Sequence, residues 1–202
     1  MKNIKVFNKD SKKLSSFIKD PIHFIVFSPP YWNLRNYEVN NQIGFKETYQ
    51  EYLDSMLLVF EQCFKVLKQG RFMAINIGTV VSNDGMKFIC GDFIKLCEKA
   101  NFIFRKDIIW HKPKGTTKWQ RGATQFTQNP YPLRYNTNIN HEFILIFQKG
   151  GYEAIDLKKN PSLLIKFSQE KWLIVCGTLF LLIPLKLMRS MLLLILRKYP
   201  ID

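Results

Sequence analysis

One short apolar run most constrains how this chain can fold. Residues 22–27 form an apolar stretch of strand length, which ends at the pair Pro29-Pro30. A run without regular polar alternation predicts a strand that is buried on both faces of its sheet. Such strands occur where helices cover the sheet, so the chain is expected to build an α/β domain around this segment.

The rest of the apolar pattern alternates between strands and helices. Apolar side chains recur at three- and four-residue steps from Tyr52 to Leu67, which predicts a helix, and Gly70 stands where a helix usually stops. Further strands are predicted at 4–7, 72–77, 102–110 and 143–147, and further helices at 11–19 and 86–99. This order predicts a parallel or mixed sheet with helices on both faces, whose function gathers at loops after strand C-termini.

The chain is strongly basic. Its 30 Lys and Arg residues against 16 Asp and Glu residues give a formal net charge of +14. Such a surplus favours a polyanion as partner, because phosphates neutralised by the protein release their condensed counterions. A basic surface without a nucleic-acid partner explains the charge equally well.

The four cysteines form no CxxC pair, and no histidine stands at a spacing typical of zinc sites. No metal is therefore expected. Cys63 and Cys97 fall among apolar helical positions and are interpreted as buried free thiols. The N-terminus lacks the apolar run of a signal peptide, so a cytoplasmic location is expected.

The chemistry is expected at Ser28-Pro29-Pro30-Tyr31, directly after the apolar run. Two prolines fix the backbone and remove two N–H donors, so the carbonyls beside them point outward in a rigid arrangement. This arrangement suits holding the exocyclic amino group of an extruded base. The Ser28 side chain and the Pro29 carbonyl would accept its hydrogens, and Tyr31 would stack on the base. Orientation and electrostatics would supply the rate without a metal or a covalent nucleophile.

With these residues the chain resembles the permuted group of amino-methylating DNA methyltransferases, which modify cytosine N4 or adenine N6. The resemblance covers about residues 3 to 150. Its landmarks, in sequence order, are Asp10 after the first strand, residues 24–32 with Arg35 and Tyr37 behind them, residues 64–71, Asn76-Ile77-Gly78, residues 108–112 and residues 141–147.

The resemblance implies a Rossmann-like methyltransferase fold that is incomplete at its C-terminus, with S-adenosylmethionine as cofactor. It implies double-stranded DNA as partner, a cognate restriction endonuclease as a further one, and a catalytic role for Ser28, Pro29, Pro30 and Tyr31. Serine at the first position is commoner in the N4-cytosine enzymes, so cytosine N4 is the expected target and adenine N6 the alternative. Asp10 either accepts from the adenine amino group of the methyl donor or caps a helix.

Residues 111–138 hold cations and aromatic rings and no acidic residue. A segment of this length without predicted structure is usually functional, and its composition suits a surface that faces DNA. A solvated basic loop is the alternative. The residues predicted to bind DNA are Arg35, Lys112, Lys114, Lys118, Arg121 and Arg134. His111 and His141 are assigned no catalytic role.

The resemblance breaks after the last predicted strand. The family carries a glycine-rich loop for S-adenosylmethionine there, whereas this sequence from Tyr152 onward holds a single glycine, Gly177. We therefore divide the chain into a catalytic part, 1–160, and an atypical apolar tail, 161–202, which we attribute to a reading-frame slip near residues 168–172. An amphipathic helix on the sheet is an alternative for this tail. Its uncharged stretch, 173–185, falls short of the ~20 residues of a membrane span, so no membrane partner is expected. Weak or absent methylation is expected, and an inactive DNA-binding remnant is the rival interpretation.

Overall fold

The structure, a computed structural model, describes residues 5–34, 36–38, 42–82, 85–112, 141–151, 171–176 and 179–184. Its helices are α1 (Leu14–Phe17), which follows a 3-10 turn at Ser11–Lys13, α2 (Tyr49–Val66) and α3 (Ile89–Lys99). Its strands are β1 (Lys5–Asn8), β2 (Ile22–Ser28), β3 (Leu67–Ile77), β4 (Val80–Ser82), β5 (Gly85–Lys87), β6 (Phe102–His111), β7 (His141–Lys149), β8 (Lys171–Cys176) and β9 (Leu179–Pro184). None of the helices in these ranges is long and apolar enough to cross a membrane.

Seven strands form one mixed sheet in the order β1-β9-β8-β2-β3-β7-β6. The central strand β2 pairs in parallel with β3 on one side and with β8 on the other. All other neighbours in this sheet are antiparallel. The predicted α/β fold with a mixed sheet is confirmed.

These pairings bring several strand ends to one edge of the sheet. Strands β1, β8, β2, β3 and β6 all run in the same direction, since β1 and β6 are each separated from a parallel strand by one antiparallel neighbour. Their carboxyl ends therefore meet at the edge where β7 begins. We call this the carboxyl edge.

The core lies between β2, β3 and the helices. Ile25 and Phe27 share the face of β2 that is fully buried, and the Phe27 ring lies 6.1 Å from the ring of Phe60 on α2. Phe24 and Val26, on the opposite face of β2, are half-buried in the structure. The predicted burial is thus complete on the face that α2 covers.

Helix α2 has the apolar periodicity that the sequence predicts. Its buried side chains are Tyr52, Met56, Val59, Phe60, Cys63 and Val66. It begins with a capping box, in which the Thr48 side chain accepts from the Glu51 backbone and the Glu51 side chain accepts from the Thr48 backbone. This reciprocal cap sets the start of the helix directly after a loop that contacts the site.

Gly70 is not the helix stop that the sequence predicts. Leu67 already has extended backbone, and Gly70 lies within β3 at φ +75°. The last carbonyls of α2 have another donor, because the Lys149 ammonium donates to the carbonyls of Phe64 and Leu67. Helix α2 therefore passes directly into β3. Gly70 lies at a bend in this strand, and its carbonyl accepts from the buried Gln148 side chain at 3.0 Å.

Two further segments differ from expectation. The helix predicted at 86–99 begins only at Ile89, because Met86 and Lys87 belong to β5, which pairs with β4. Within the predicted tail, residues 171–176 and 179–184 are strands of the main sheet rather than a helix. The origin of the tail and the boundary near residue 160 stay predictions.

Candidate active site at the carboxyl edge

The diproline corner, Ser28 to Tyr31, lies at the carboxyl end of the central strand. Ser28 is the last residue of β2 and is exposed, Pro29 is buried, and Pro30 and Tyr31 are half-buried. The parallel neighbours β3 and β8 end beside it, and Ser28 pairs in register with Cys176 of β8. The corner therefore stands at the middle of the carboxyl edge, where ligands of open α/β sheets bind.

Hydrogen bonds from α2 and from the residues that follow the corner hold its second half, Pro30 and Tyr31. The Tyr52 hydroxyl donates to the Pro30 carbonyl at 2.9 Å, and the backbone N–H of Leu34 donates to the Tyr31 carbonyl at 3.5 Å. The Trp32 indole donates to the Glu47 carbonyl at 2.9 Å, just before the capping box of α2. The backbone after Pro30 is thus fastened to the start of α2.

The first half of the corner, Ser28 and Pro29, carries oxygen acceptors that these hydrogen bonds do not use. Among the described residues, none donates a hydrogen bond to the Ser28 hydroxyl or to the Pro29 carbonyl. The hydroxyl stands on an exposed residue, whereas the carbonyls of Pro30 and Tyr31 are engaged within the protein. Ser28 and Pro29 thus keep two oxygen acceptors that these hydrogen bonds leave unused, and their role in holding a base stays a prediction.

The Tyr31 side chain is held at its hydroxyl. This group accepts a hydrogen bond from the Gly78 backbone N–H at 2.9 Å, and the Glu142 side chain lies beside it next to Gly78. Burial raises the pKa of the Tyr31 hydroxyl, and the negative charge of Glu142 raises it further. The phenol is therefore neutral at physiological pH, and its ring is fixed at both ends.

Glu142 is the residue that sequence reasoning missed. Its carboxylate accepts from the Asn76 side-chain amide and forms an ion pair with Lys112, and the Glu142 side chain is only 14% exposed. From the sequence it is simply the second residue of a strand. Its neighbours come from β3, β6 and the corner, and only the sheet register brings them together. In the sequence, the one sign that could have pointed to Glu142 is that it is an acidic residue among basic and apolar ones.

Gly78 permits this cluster to form. A Cβ atom at this position would stand 3.1 Å from Cγ of Glu142 and 3.4 Å from the Tyr31 hydroxyl oxygen. The first distance is shorter than ordinary van der Waals contact, so a side chain here would displace the carboxylate. The absence of a side chain after β3 is what lets Glu142 reach the corner.

Asp10 ends up away from the corner. It follows β1, and the order β1-β9-β8-β2 places it three strand spacings from Ser28, roughly 14 Å along the edge. Its carboxylate accepts from the Lys12 backbone N–H at 2.9 Å and so caps the 3-10 turn. The capping role is confirmed, and the role toward a methyl donor stays a prediction.

The residues predicted to face DNA are only partly described. Lys112 lies at the carboxyl edge, where it pairs with Glu142. Arg35, Lys114, Lys118, Arg121 and Arg134 lie outside the described residues. Lys112 and His141 flank residues 113–140, and His111 and His141 are direct partners in the register of β6 and β7. Both ends of the segment therefore lie at the edge that carries the corner.

No group of three or more His, Cys, Asp and Glu side chains in the described ranges could hold a metal ion. The described cysteines, Cys63, Cys90 and Cys97, are free and buried. The interpretation of Cys63 and Cys97 as buried thiols is confirmed.

Comparison with known proteins gives consistent matches. A family model for N6/N4 DNA methylases, described as DNA methylase, matches residues 22–174. The type II methyltransferase M.Cfr9I of Citrobacter freundii is 35% identical over 173 residues, covering 69% of this chain and 53% of that protein. The type II methyltransferase M.MwoI of Methanothermobacter wolfeii is 28% identical over 152 residues, covering 72% of this chain and 20% of that protein.

Solved structures resemble the fold. A putative DNA modification methylase of Thermus thermophilus, solved with S-adenosyl-L-methionine, aligns at a TM-score of 0.51 and 27% identity, over 81% of this chain and 65% of that one. The PvuII DNA methyltransferase, a cytosine-N4-specific enzyme, aligns at 0.54 and 17% identity, over 84% and 56% of the two chains. At that identity the second match shows the fold alone.

The chain spans only part of the relatives it matches: 20%, 16% and 64% of the first three. The family match nevertheless extends from the start of β2 into β8 and so includes the corner, Gly78 and Glu142. The chain belongs to the N6/N4 DNA methylase family.

Proposed function

We propose that this chain holds an extruded DNA base at the diproline corner for methylation of the exocyclic amino group, with S-adenosylmethionine as methyl donor. The observation that carries the proposal is the pair of acceptors at Ser28 and Pro29. They stand on a backbone that two prolines and the Tyr52 hydrogen bond make rigid. Membership of the DNA methylase family supports the same activity.

The corner's task is to change the geometry of an amino nitrogen. An amino group conjugated to a base ring is a poor nucleophile, because its lone pair is delocalised into the ring. The Ser28 hydroxyl and the Pro29 carbonyl accept its two hydrogens, which draws the nitrogen toward a tetrahedral geometry. The Tyr31 ring stacks on the base and offsets part of the unstacking cost of a few kcal/mol. Holding the nitrogen in line would supply the rate of a transfer in which the N–CH3 bond forms, the S–CH3 bond breaks to release S-adenosylhomocysteine, and the amino group gives up one proton to solvent.

The strand order of the sheet suits binding of the methyl donor, whereas the low glycine content of the sequence after Tyr152 does not. In the strand order, β3 follows β2 on one side and β9 follows β8 on the other, and ligands of open α/β sheets bind at the carboxyl ends where the strand order reverses in this way. S-adenosylmethionine, when bound, supplies an electrophilic methyl group. Asp10, just after β1, would accept from its adenine amino group. The family that the chain resembles holds the carboxy end of S-adenosylmethionine in a glycine-rich loop, and the single glycine from Tyr152 onward, Gly177, is the reason we expect slow turnover.

We propose cytosine N4 as the target. Ser28 presents a neutral hydroxyl where a carboxylate would be the stronger acceptor, and serine at this position is commoner in the N4-cytosine branch of the family that the chain resembles. Adenine N6 is the alternative. Digestion of methylated DNA to nucleosides separates the two, since N4-methylcytosine is expected and N6-methyladenine would overturn the choice.

Labelled S-adenosylmethionine and duplex DNA of mixed sequence test the activity. The full chain is expected to incorporate label slowly, and Ser28→Ala is expected to abolish incorporation while leaving DNA affinity unchanged. An exposed serine variant on α1, Ser16→Ala, is the matched control. Equal incorporation by Ser28→Ala and the wild type would contradict the role of the corner.

A DNA-binding remnant without transfer is the second candidate, and the missing glycine-rich loop favours it. It predicts DNA binding whose affinity falls steeply with salt, because phosphate contacts dominate, together with no incorporation of label. Brisk turnover would exclude it.

A further inference from the structure

Glu142 joins three parts of the site that are distant in sequence. Its carboxylate contacts Asn76 on β3 and Lys112 after β6, and its side chain lies beside the Tyr31 hydroxyl of the corner, next to Gly78. We propose that Glu142 is the positioning residue that fixes the Tyr31 ring for base holding and joins it to the start of the segment 113–140. The inference rests on the proposed function, because it assigns a task within base holding.

The sheet register places Glu142 for this task. Ile77 pairs with Phe143 across β3 and β7, so Glu142 reaches beyond the last pair toward Gly78. The bare backbone of Gly78 leaves room for the carboxylate and donates its N–H to Tyr31. The Tyr31 hydroxyl is thus held by the Gly78 N–H, directly beside the Glu142 side chain.

The charge on Glu142 makes its contacts strong. A carboxylate that is 14% exposed needs partners, and it has the Lys112 cation and the Asn76 amide, with the Tyr31 phenol beside it. Hydrogen bonds to ionised groups are roughly twice as strong as neutral ones. The neutral, immobilised phenol is a rigid platform, whereas a tyrosine that could rotate would present its face to the base for only part of the time.

Lys112 links Glu142 to the part of the chain that is predicted to face DNA. It directly precedes the segment 113–140, and its ammonium neutralises Glu142. Glu142 is thereby joined to a residue that the sequence predicts to bind DNA.

Base extrusion measured on the full chain tests the proposal. A duplex pool with a randomised core is first selected for binding, and 2-aminopurine is then placed at each base of the selected sequence in turn. Its fluorescence rises when a base leaves the stack. At saturating protein, Glu142→Gln is expected to lower the extrusion equilibrium about tenfold, as expected for one hydrogen bond to a charged group. Its affinity for the duplex is expected to stay within about threefold of the wild type, because phosphate contacts dominate.

A double-mutant cycle separates positioning from a merely structural role. Tyr31→Phe removes the shared hydroxyl, so it should lower extrusion as Glu142→Gln does, and the double variant should be no worse than either. Glu98→Gln, the same change at an exposed site on α3, is the control and should extrude as the wild type does. If Glu142→Gln fails to fold, Asn76→Ala, which removes one partner of the same carboxylate, replaces it with the same expected direction.

The experiment distinguishes a failure of this inference from a failure of the proposed function. Extrusion by the wild type and equally by Glu142→Gln overturns the inference alone. Losses that multiply in the double variant also overturn it, since Glu142 would then act independently of Tyr31. The absence of a fluorescence rise at every position for the wild type overturns the proposed function, and the inference with it.

Discussion

The hydroxyl of Tyr52 donates a 2.9 Å hydrogen bond to the carbonyl of Pro30, and this contact fastens the first turn of α2 to the diproline corner. Tyr52 is fully buried. Removing its hydroxyl leaves the Pro30 carbonyl without this donor, so Tyr52→Phe should lower the free energy of unfolding by about 1–2 kcal/mol. Urea denaturation measures the loss. Tyr37→Phe, at an exposed tyrosine, should change stability by less than about 0.5 kcal/mol. Equal stability of the two variants would show that the contact is not formed.

Gly78→Ala should destabilise the chain although the backbone conformation there is ordinary. The new methyl group would lie 3.1 Å from Cγ of Glu142, which must then move away from Asn76 and Lys112. A loss of about 1–3 kcal/mol is expected for such overpacking. Thermal denaturation checks it, with Gly151→Ala as control because a methyl group there meets open space. A Gly78→Ala variant as stable as the control would refute the steric argument.

Lys149 closes the C-terminal end of α2. Its ammonium donates to the carbonyls of Phe64 and Leu67, and it lies 4.5 Å from the centre of the Phe64 ring. Lys149→Met keeps an apolar side chain over that ring but removes the donor and the charge that favours a helix C-terminus. The free energy of unfolding should fall by about 1–3 kcal/mol. Lys68→Met, at an exposed lysine of β3, is the matched control, and a comparable loss there would contradict the assignment.

Buried thiols predict how stability depends on pH. Burial raises the pKa of Cys63 to about 12 and that of Cys90 to about 11, and it holds the pKa of Cys97 well above its usual value. The folded state keeps these protons when the unfolded chain begins to lose them near pH 9. The stability they contribute is therefore complete below pH 9 and falls as pH rises toward the folded values.

Each fully engaged thiol contributes a slope of roughly 1.4 kcal/mol per pH unit. Urea unfolding at pH 8, 9 and 10 measures the decline, and Cys63→Ala should show a shallower slope than the wild type. A free energy of unfolding that is constant from pH 8 to 10 would contradict the burial of these groups.

Structural features that depend on a few consecutive residues could be predicted from the sequence. The apolar run 22–27 and the periodicity of α2 each follow from a few consecutive residues, and both elements form as expected. The rigidity of the corner likewise follows from its two prolines. The role of Gly70 could not be read in this way, because Lys149, which is far away in sequence, supplies the donor that a glycine cap would otherwise provide.

Features set by strand register could not be predicted. Glu142 meets Asn76 and Tyr31 only because β7 pairs with β3 in one particular alignment. The same limit applies to β8. Composition marked residues 161–202 as atypical, but composition does not reveal that residues 171–176 pair with the central strand.

Lys112 and His141 flank residues 113–140, and the last pair of the β6–β7 ladder, His111 with His141, lies directly before this gap. Insertions, deletions or substitutions between these two residues therefore leave every pair of that ladder in place. Since the composition of the stretch predicts a surface that faces DNA, exchanging it between related chains is expected to change the recognised sequence and to leave the methylated atom the same.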